Sequence, residues 1–226
     1  MKTFTLILSL AVTLATPVRN LAFTNLDFES AVVQLNDPNF GWLDWSLAAP
    51  GWSHSSGAST DIIYYGLPHL GATQIYLLLD PNTQPYGTLA PLAGEYSLAF
   101  ASGFATGPGE SDWIQAFISQ TGEIPAAMRS LHLLATGPFS VFVGGVSIPM
   151  FSLGGDSFGG DISSFAGTTA AITIMNTAPY GSIHTHTVVD NLLFSPLPIP
   201  EPSCLALGAG ALAAALADGR RRVWHS

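Results

Sequence analysis

Three stretches of this 226-residue chain combine residue types that could do chemistry. Gly155-Asp156-Ser157-Phe158-Gly159 spells a nucleophile elbow, with His184, His186 and Asp190 downstream to serve as base and orienting acid. That elbow needs a strand before it and a helix after it, within a parallel sheet. The following Gly160-Asp161-Ile162-Ser163 reads as loop and strand, so a catalytic Ser157 is not expected. His184-Thr185-His186 places two imidazoles on one face of an extended segment, which begins a transition-metal site. Asp190 is the sole nearby third donor, and a histidine pair facing solvent beside a strand is the simpler reading. Glu95, Glu110, Asp112 and Glu123 offer carboxylates for glycoside hydrolysis. That reaction requires a defined gap between two of them, and no motif selects a pair. One cysteine, Cys204, excludes an internal disulfide framework and any Cys-cluster metal site.

Aromatic residues offer binding rather than catalysis. Phe40 to Tyr65 carries Trp42, Trp45, Trp52, Tyr64 and Tyr65 together with Asp44 and Asp61, and Trp113 stands beside Asp112. Apolar walls with a few polar groups suit a small-molecule or sugar site, in which a pyranose face stacks on a ring. Trp42, Trp45, Trp52 and Trp113 are therefore the candidate ligand platforms. The competing reading is packing, since Gly51-Trp52 looks like an early strand turned into a core.

Such side chains need a scaffold, and the middle of the chain supplies β signals. Short β-rich runs separated by Gly, Pro, Asn and Ser clusters recur at Gln74–Leu79, Tyr96–Ser102, Trp113–Ser119, Arg129–Ala135, Ser140–Val146, Ala170–Met175 and Thr187–Phe194. Ser140-Val141-Phe142-Val143 alternates as a half-buried strand does, whereas Ile75-Tyr76-Leu77-Leu78-Leu79 is continuous and implies burial on both faces. No internal repeat of fixed period appears, and helical stripes are nearly absent. The expectation is an all-β protein, a single β-sandwich over residues 23–197.

Charge separates this middle from its ends. The six basic residues are Lys2, Arg19, Arg129, Arg220, Arg221 and Arg222, so Arg129 alone serves the centre against thirteen acids there. The net charge of −9 disfavours nucleic acid, whose phosphates demand a basic face. Neutral glycans and divalent cations remain compatible partners. With 48% hydrophobic residues the chain is also too apolar to stay disordered.

Residues 1–22 read as a secretory signal peptide: Lys2, an apolar run from Phe4 to Ala15, then small residues. Residues 198–226 hold Pro200-Glu201-Pro202, a 14-residue apolar segment from Cys204 to Ala217, and Arg220 to Arg222. As a helix this segment spans about 21 Å, against a hydrocarbon core of about 30 Å. The arrangement of Pro-Glu-Pro, short apolar transmembrane helix and basic end resembles the PEP-CTERM sorting signal of Gram-negative bacteria. That resemblance implies processing by an exosortase at the inner membrane and delivery to the envelope, outer surface or extracellular matrix.

A second resemblance covers the middle. Asn25-Leu26-Asp27-Phe28-Glu29 and Val188-Val189-Asp190-Asn191-Leu192-Leu193-Phe194 resemble the first and last strands of galactose-binding-like jelly rolls, as in carbohydrate-binding modules. The block Asp161 to Ala170 matches the same pattern of a loop Asp and an aromatic-x-Gly turn leading into a strand. Gly94-Glu95-Tyr96-Ser97-Leu98 and Ile118 to Pro125 resemble secreted PEP-CTERM proteins of planctomycete-like bacteria. The jelly-roll resemblance implies a structural calcium held by Glu29 and Asp190, with Asp27 or backbone carbonyls and water completing six to eight oxygens. The expected function is that of an exported, surface- or matrix-associated protein without catalysis, contacting extracellular polysaccharide. A secreted carbohydrate-active hydrolase and a passive matrix component are the alternatives.

Overall fold

The computed structural model describes residues 22–33, 42–55, 62–65, 73–79, 89–104, 112–182 and 185–199. The signal-peptide run up to residue 21, the Pro-Glu-Pro motif, the apolar tail and its arginines all lie outside the described residues. Among the described residues no helix is long and apolar enough to cross a membrane.

Two sheets dominate, as the alternating and continuous apolar runs demand. The early strands are β1 (Trp42–Asp44), β2 (Ser53–Ser55), β3 (Ile62–Tyr65), β4 (Gln74–Leu78) and β5 (Ser97–Ala101). One helical turn, α1 (Trp45–Ala48), follows β1. Next come β6 (Gly103–Phe104), β7 (Trp113–Ile114), β8 (Phe117–Glu123), β9 (Ser130–Thr136) and β10 (Phe139–Val143). The last are β11 (Val146–Ile148), β12 (Phe151–Gly154), β13 (Ser157–Asp161), β14 (Thr169–Asn176) and β15 (His186–Ser195).

The first sheet has the order β1-β3-β4-β5-β15-β9-β13-β12, and the second β11-β10-β14-β8-β2. β6 and β7 form a separate two-stranded ribbon. All described pairings are antiparallel except β3 with β4. The chain changes sheet from β8 to β9, from β9 to β10, from β11 to β12, from β13 to β14 and from β14 to β15. Sheet neighbours are thus drawn from distant parts of the sequence, with the last long strand seated between β5 and β9.

The core lies between the sheets. Leu98 and Phe100 of β5, Leu131 and Leu133 of β9 and Val189 of β15 meet Ile118, Val141, Ile172 and Ile174 of the other sheet. Alternation along β8, β9 and β14 directs these side chains inward. β4 and β5 depart from alternation, because both of their faces are covered. Tyr76, Leu78, Ala99 and Val188 point away from the sandwich and form a second cluster under Leu89 and Leu92. A strap of irregular chain, residues 89–96, thereby covers the outer face of β4, β5 and β15 at this point.

The elbow spelling at Ser157 folds as the tight turn of the β12–β13 hairpin. Gly154 and Gly155 take positive φ there, and Ser157 opens strand β13 where an elbow would open an α-helix. The catalytic geometry of an elbow is absent at this serine.

Candidate functional site

Two clusters of chemistry-bearing residues emerge, one built from carboxylates and one from rings.

The first lies where residues 25–31 meet β15 and the strap. Asn25, Phe28 and Asn191 all hold positive φ here, and β15 bulges against β9 between Asp190 and Leu193. The Asn25 side chain accepts from Ser30 N at 2.9 Å, and Leu192 N donates to Leu26 O at 2.9 Å. The opening turn and the last strand are therefore tied side by side. Glu29 Oε1 accepts from Glu95 N at 2.9 Å and Tyr96 N at 3.1 Å. Asp190 Oδ2 accepts from Ser97 Oγ at 2.6 Å and Ala93 N at 2.9 Å, and Oδ1 accepts from Asn191 N at 2.6 Å. Ser97 Oγ accepts in turn from Leu92 N.

Both sequence-selected carboxylates thus grip one short stretch of strap. Asp190 is only 1% exposed. Burial pushes its carboxyl up to about 6 and the neighbouring charge of Glu29 adds to the rise, while the Ser97, Ala93 and Asn191 donors oppose it. Gly94 sits inside the grip with φ of +59°, and a β-carbon there would run into Glu29 Oε1.

As a calcium site this cluster is incomplete in side chains. Both oxygens of Asp190 and Oε1 of Glu29 already accept hydrogen bonds, and calcium takes six to eight oxygens. Among the described residues no three His, Cys, Asp or Glu side chains gather as a metal set. What the geometry does display is a clasp, two carboxylates satisfying the backbone of the strap they hold.

The tryptophans divide. Trp45 and Trp52 are 7% and 5% exposed, and each indole N–H is used: Trp45 Nε1 donates to Trp52 O at 2.6 Å and Trp52 Nε1 to Asn25 O at 2.9 Å. Trp52 also packs on Phe28. Neither ring offers a face to a ligand, which corrects the platform reading at these two positions. Trp45 opens α1 and Trp52 precedes β2, and each is drawn into the core by the area it buries. Trp42 lies in β1, and its side chain is outside the described set.

Trp113 is different, and it anchors the second cluster. Its ring lies 5.4 Å from Phe104 in an edge-on contact and 5.5 Å from Tyr180, and Phe104 and Tyr180 are 5.7 Å apart. Tyr180 is 71% exposed; Phe104 and Trp113 are half-buried. Trp113 Nε1 is itself buried and finds no acceptor. Three separate segments deliver these rings: β6, β7 and the link from β14 to β15.

A buried polar plug holds those segments together. The Asn176 side chain donates to Thr187 Oγ1 at 2.9 Å, Thr185 O at 3.2 Å and Phe100 O at 3.3 Å, and accepts from Ala178 N at 3.0 Å. Thr187 Oγ1 donates to Pro138 O at 2.6 Å. Ser102 Oγ accepts from Ala116 N and donates to Asn176 O. The Thr73 hydroxyl lies within 3.0 Å of the carbonyls of Gly103 and Ile114, fastening the ribbon to β4. Phe104 and Tyr180 carry no local motif, but Pro179-Tyr180-Gly181 is a turn spelling with a ring at its tip, closed by Ser182 N to Pro179 O.

The histidine pair is split by description: His184 lies outside the described residues, and His186 opens β15 edge-on to Tyr76 at 6.1 Å. An open cavity of about 440 Å³ sits where β10, β11 and β13 meet, lined by Pro138, Phe139, Met150 and Phe158 among others. None of its lining side chains titrates, so it offers no acid or base. No protein-family model matches the chain, and no curated protein matches it.

Proposed function

We propose that this is an exported, non-enzymatic protein of the cell surface or extracellular matrix whose jelly-roll domain contacts extracellular polysaccharide. Sorting falls to the tail, through Pro200, Glu201, Pro202 and Arg220 to Arg222, with an exosortase-type partner and transient insertion in the inner membrane. The jelly-roll reading is supported by strand order. Four strands of one sheet run β5-β15-β9-β13 and four of the other run β8-β14-β10-β11, with the chain passing repeatedly between sheets.

The observation that carries the binding reading is the contrast between used carboxylates and open rings. Where Glu29 and Asp190 come together, both accept from the backbone of the strap, which supports a structural use for this pair. Tyr180 meanwhile reaches solvent on a loop beside Trp113, and loops held by a sandwich are the usual place for binding residues. A structural calcium at Glu29 and Asp190 belongs to this proposal, drawing its remaining oxygens from carbonyls and water.

Retention of the purified full chain on insoluble polysaccharides, with sugar release assayed in parallel, tests the reading. Retention without release is the expected result. Release would favour a hydrolase, and neither retention nor release would favour a passive matrix component. For calcium, thermal melting with and without chelator is the measurement. A lowered transition is expected on chelation, and an unchanged one removes the ion.

A further inference from the structure

The geometry points to Phe104, Trp113 and Tyr180 as one stacking platform for neutral pyranose rings, kept in shape by the buried plug around Asn176. This rests on the proposed polysaccharide-binding role and assigns that role to particular residues.

Several observations converge on it. The rings are mutually in contact at 5.4 to 5.7 Å, with Phe104 edge-on to both others and Trp113 tilted 46° to Tyr180, so three segments build one aromatic cluster whose faces point in different directions. That cluster is open, since Tyr180 is 71% exposed at the tip of a turn. An aromatic ring left in water at this cost has apolar area to give up to a ligand.

Charge and size narrow the occupant. A pyranose presents axial C–H bonds to a π face and hydroxyls at its rim, which suits rings with a polar tip such as the Tyr180 phenol. Asp112 directly precedes Trp113 and is exposed, and the described residues hold no base except Arg129. Uronic acids and sulfated sugars therefore meet no counter-charge on the rings' own segments. Three aromatic side chains bury at most about 450–750 Å², below the ~800 Å² that each partner gives to a standard protein interface. One or two sugar units fit that area, and a folded protein partner needs more.

The plug explains why the platform is preformed. Asn176, Ser102 and Thr187 are fully buried, and their bonds reach β5, the start of β8, the β9–β10 turn and β15. Through Ala178 N and Thr185 O, Asn176 ties down both sides of the link that carries Tyr180. A preformed platform loses less side-chain freedom on binding than one that must be ordered by its ligand.

The test uses the full chain and a panel of soluble hexaoses, namely cello-, xylo-, manno- and laminarihexaose, with hexagalacturonate as the anionic probe. Affinities are read by calorimetry. The expected result is binding to at least one neutral hexaose and none to hexagalacturonate. Tyr180→Ala should weaken that binding about tenfold or more with the melting temperature unchanged, and Leu193→Ala, an exposed apolar control on β15, should leave it intact. Trp113→Phe tests the central ring with less risk to folding. Neutral-sugar binding that survives both Tyr180→Ala and Trp113→Phe overturns the platform while leaving the polysaccharide role in place. Failure of wild-type protein to bind any hexaose, when it is still retained on insoluble polysaccharide, also overturns the platform. Failure of both overturns the polysaccharide role itself. Preferential binding of hexagalacturonate overturns the neutral-sugar assignment.

Discussion

The carboxylate clasp and the aromatic end are both loop clusters on the same sandwich, yet they spend their polar groups in opposite ways. At the clasp, exposed Glu29 and buried Asp190 both face the strap, and Glu29 Oε1 and both Asp190 oxygens accept from donors of residues 93–97 and from Asn191. At the aromatic end the polar groups of Asn176, Ser102 and Thr187 lie underneath, and the surface is left to rings. Residue type alone therefore does not mark a site. A carboxylate that accepts from the backbone it holds is a fastener, whereas an exposed ring has apolar area still to give.

The largest expected effect separates tryptophans that hold the fold from the one that faces outward. Trp52→Ala removes a ring packed on Phe28 and strands Asn25 O, so unfolding in denaturant should show a loss of about 3–5 kcal/mol. A variant of near wild-type stability would mean that Trp52 belongs with the surface rings.

This sorting shows what the sequence could and could not convey. The seven principal β-rich runs correspond to β4, β5, β7 with β8, β9, β10, β14 and β15, because each carries the apolar pattern of a buried strand. β12 and β13 were hidden by Gly154, Gly155, Gly159 and Gly160, which read as a turn. Two of those glycines admit neighbours: a β-carbon at Gly159 would run into Ile199, and one at Gly160 would approach Ile148 and Met150 at 2.6 Å. Glu29 and Asp190 were legible as partners, since the opening and closing segments announced themselves. Their use as backbone acceptors was not legible, because it depends on where the strap lies. Tyr180 was invisible for the same reason: its companions Phe104 and Trp113 are distant in sequence and meet only through the fold.

Breaking the clasp comes next in size. Asp190→Ala leaves Ala93 N, Asn191 N and the Ser97 hydroxyl without their acceptor in a buried site, and should cost about 3 kcal/mol. Hydrogen exchange should quicken first in residues 92–97, ahead of β9 and β14. Uniform loosening of the whole sandwich would mean that the carboxylate supports the core rather than the strap. Gly94→Ala acts on the same grip from the other side, through a positive φ and a contact with Glu29 Oε1. Its cost should be smaller, about 1–2 kcal/mol by melting in chelator. Tolerance of alanine there would show that Glu29 is free to leave Glu95 N and Tyr96 N.

The gentlest probe is pH, which distinguishes a buried carboxylate from exposed ones without any change of shape. Asp190 is raised from its ordinary 3.8 to about 6, chiefly by burial. Between those values the folded chain binds a proton that the unfolded chain gives up, so this group adds stability as pH falls from 7 through 6 and levels off near 4. Asp161 shifts the other way, lowered by its bond to Ser163 N, and its contribution is lost only below its ordinary 3.8, outside that window. Measured in chelator, the melting temperature of the wild type should therefore rise by a few degrees relative to Asp190→Asn between pH 7 and pH 5. The comparison with Asp190→Asn cancels every other group that titrates in that range, because those groups are common to both proteins. Parallel curves would mean that the three donors to Asp190 outweigh burial and hold the carboxyl ionised, which would make the clasp a charged anchor throughout that range.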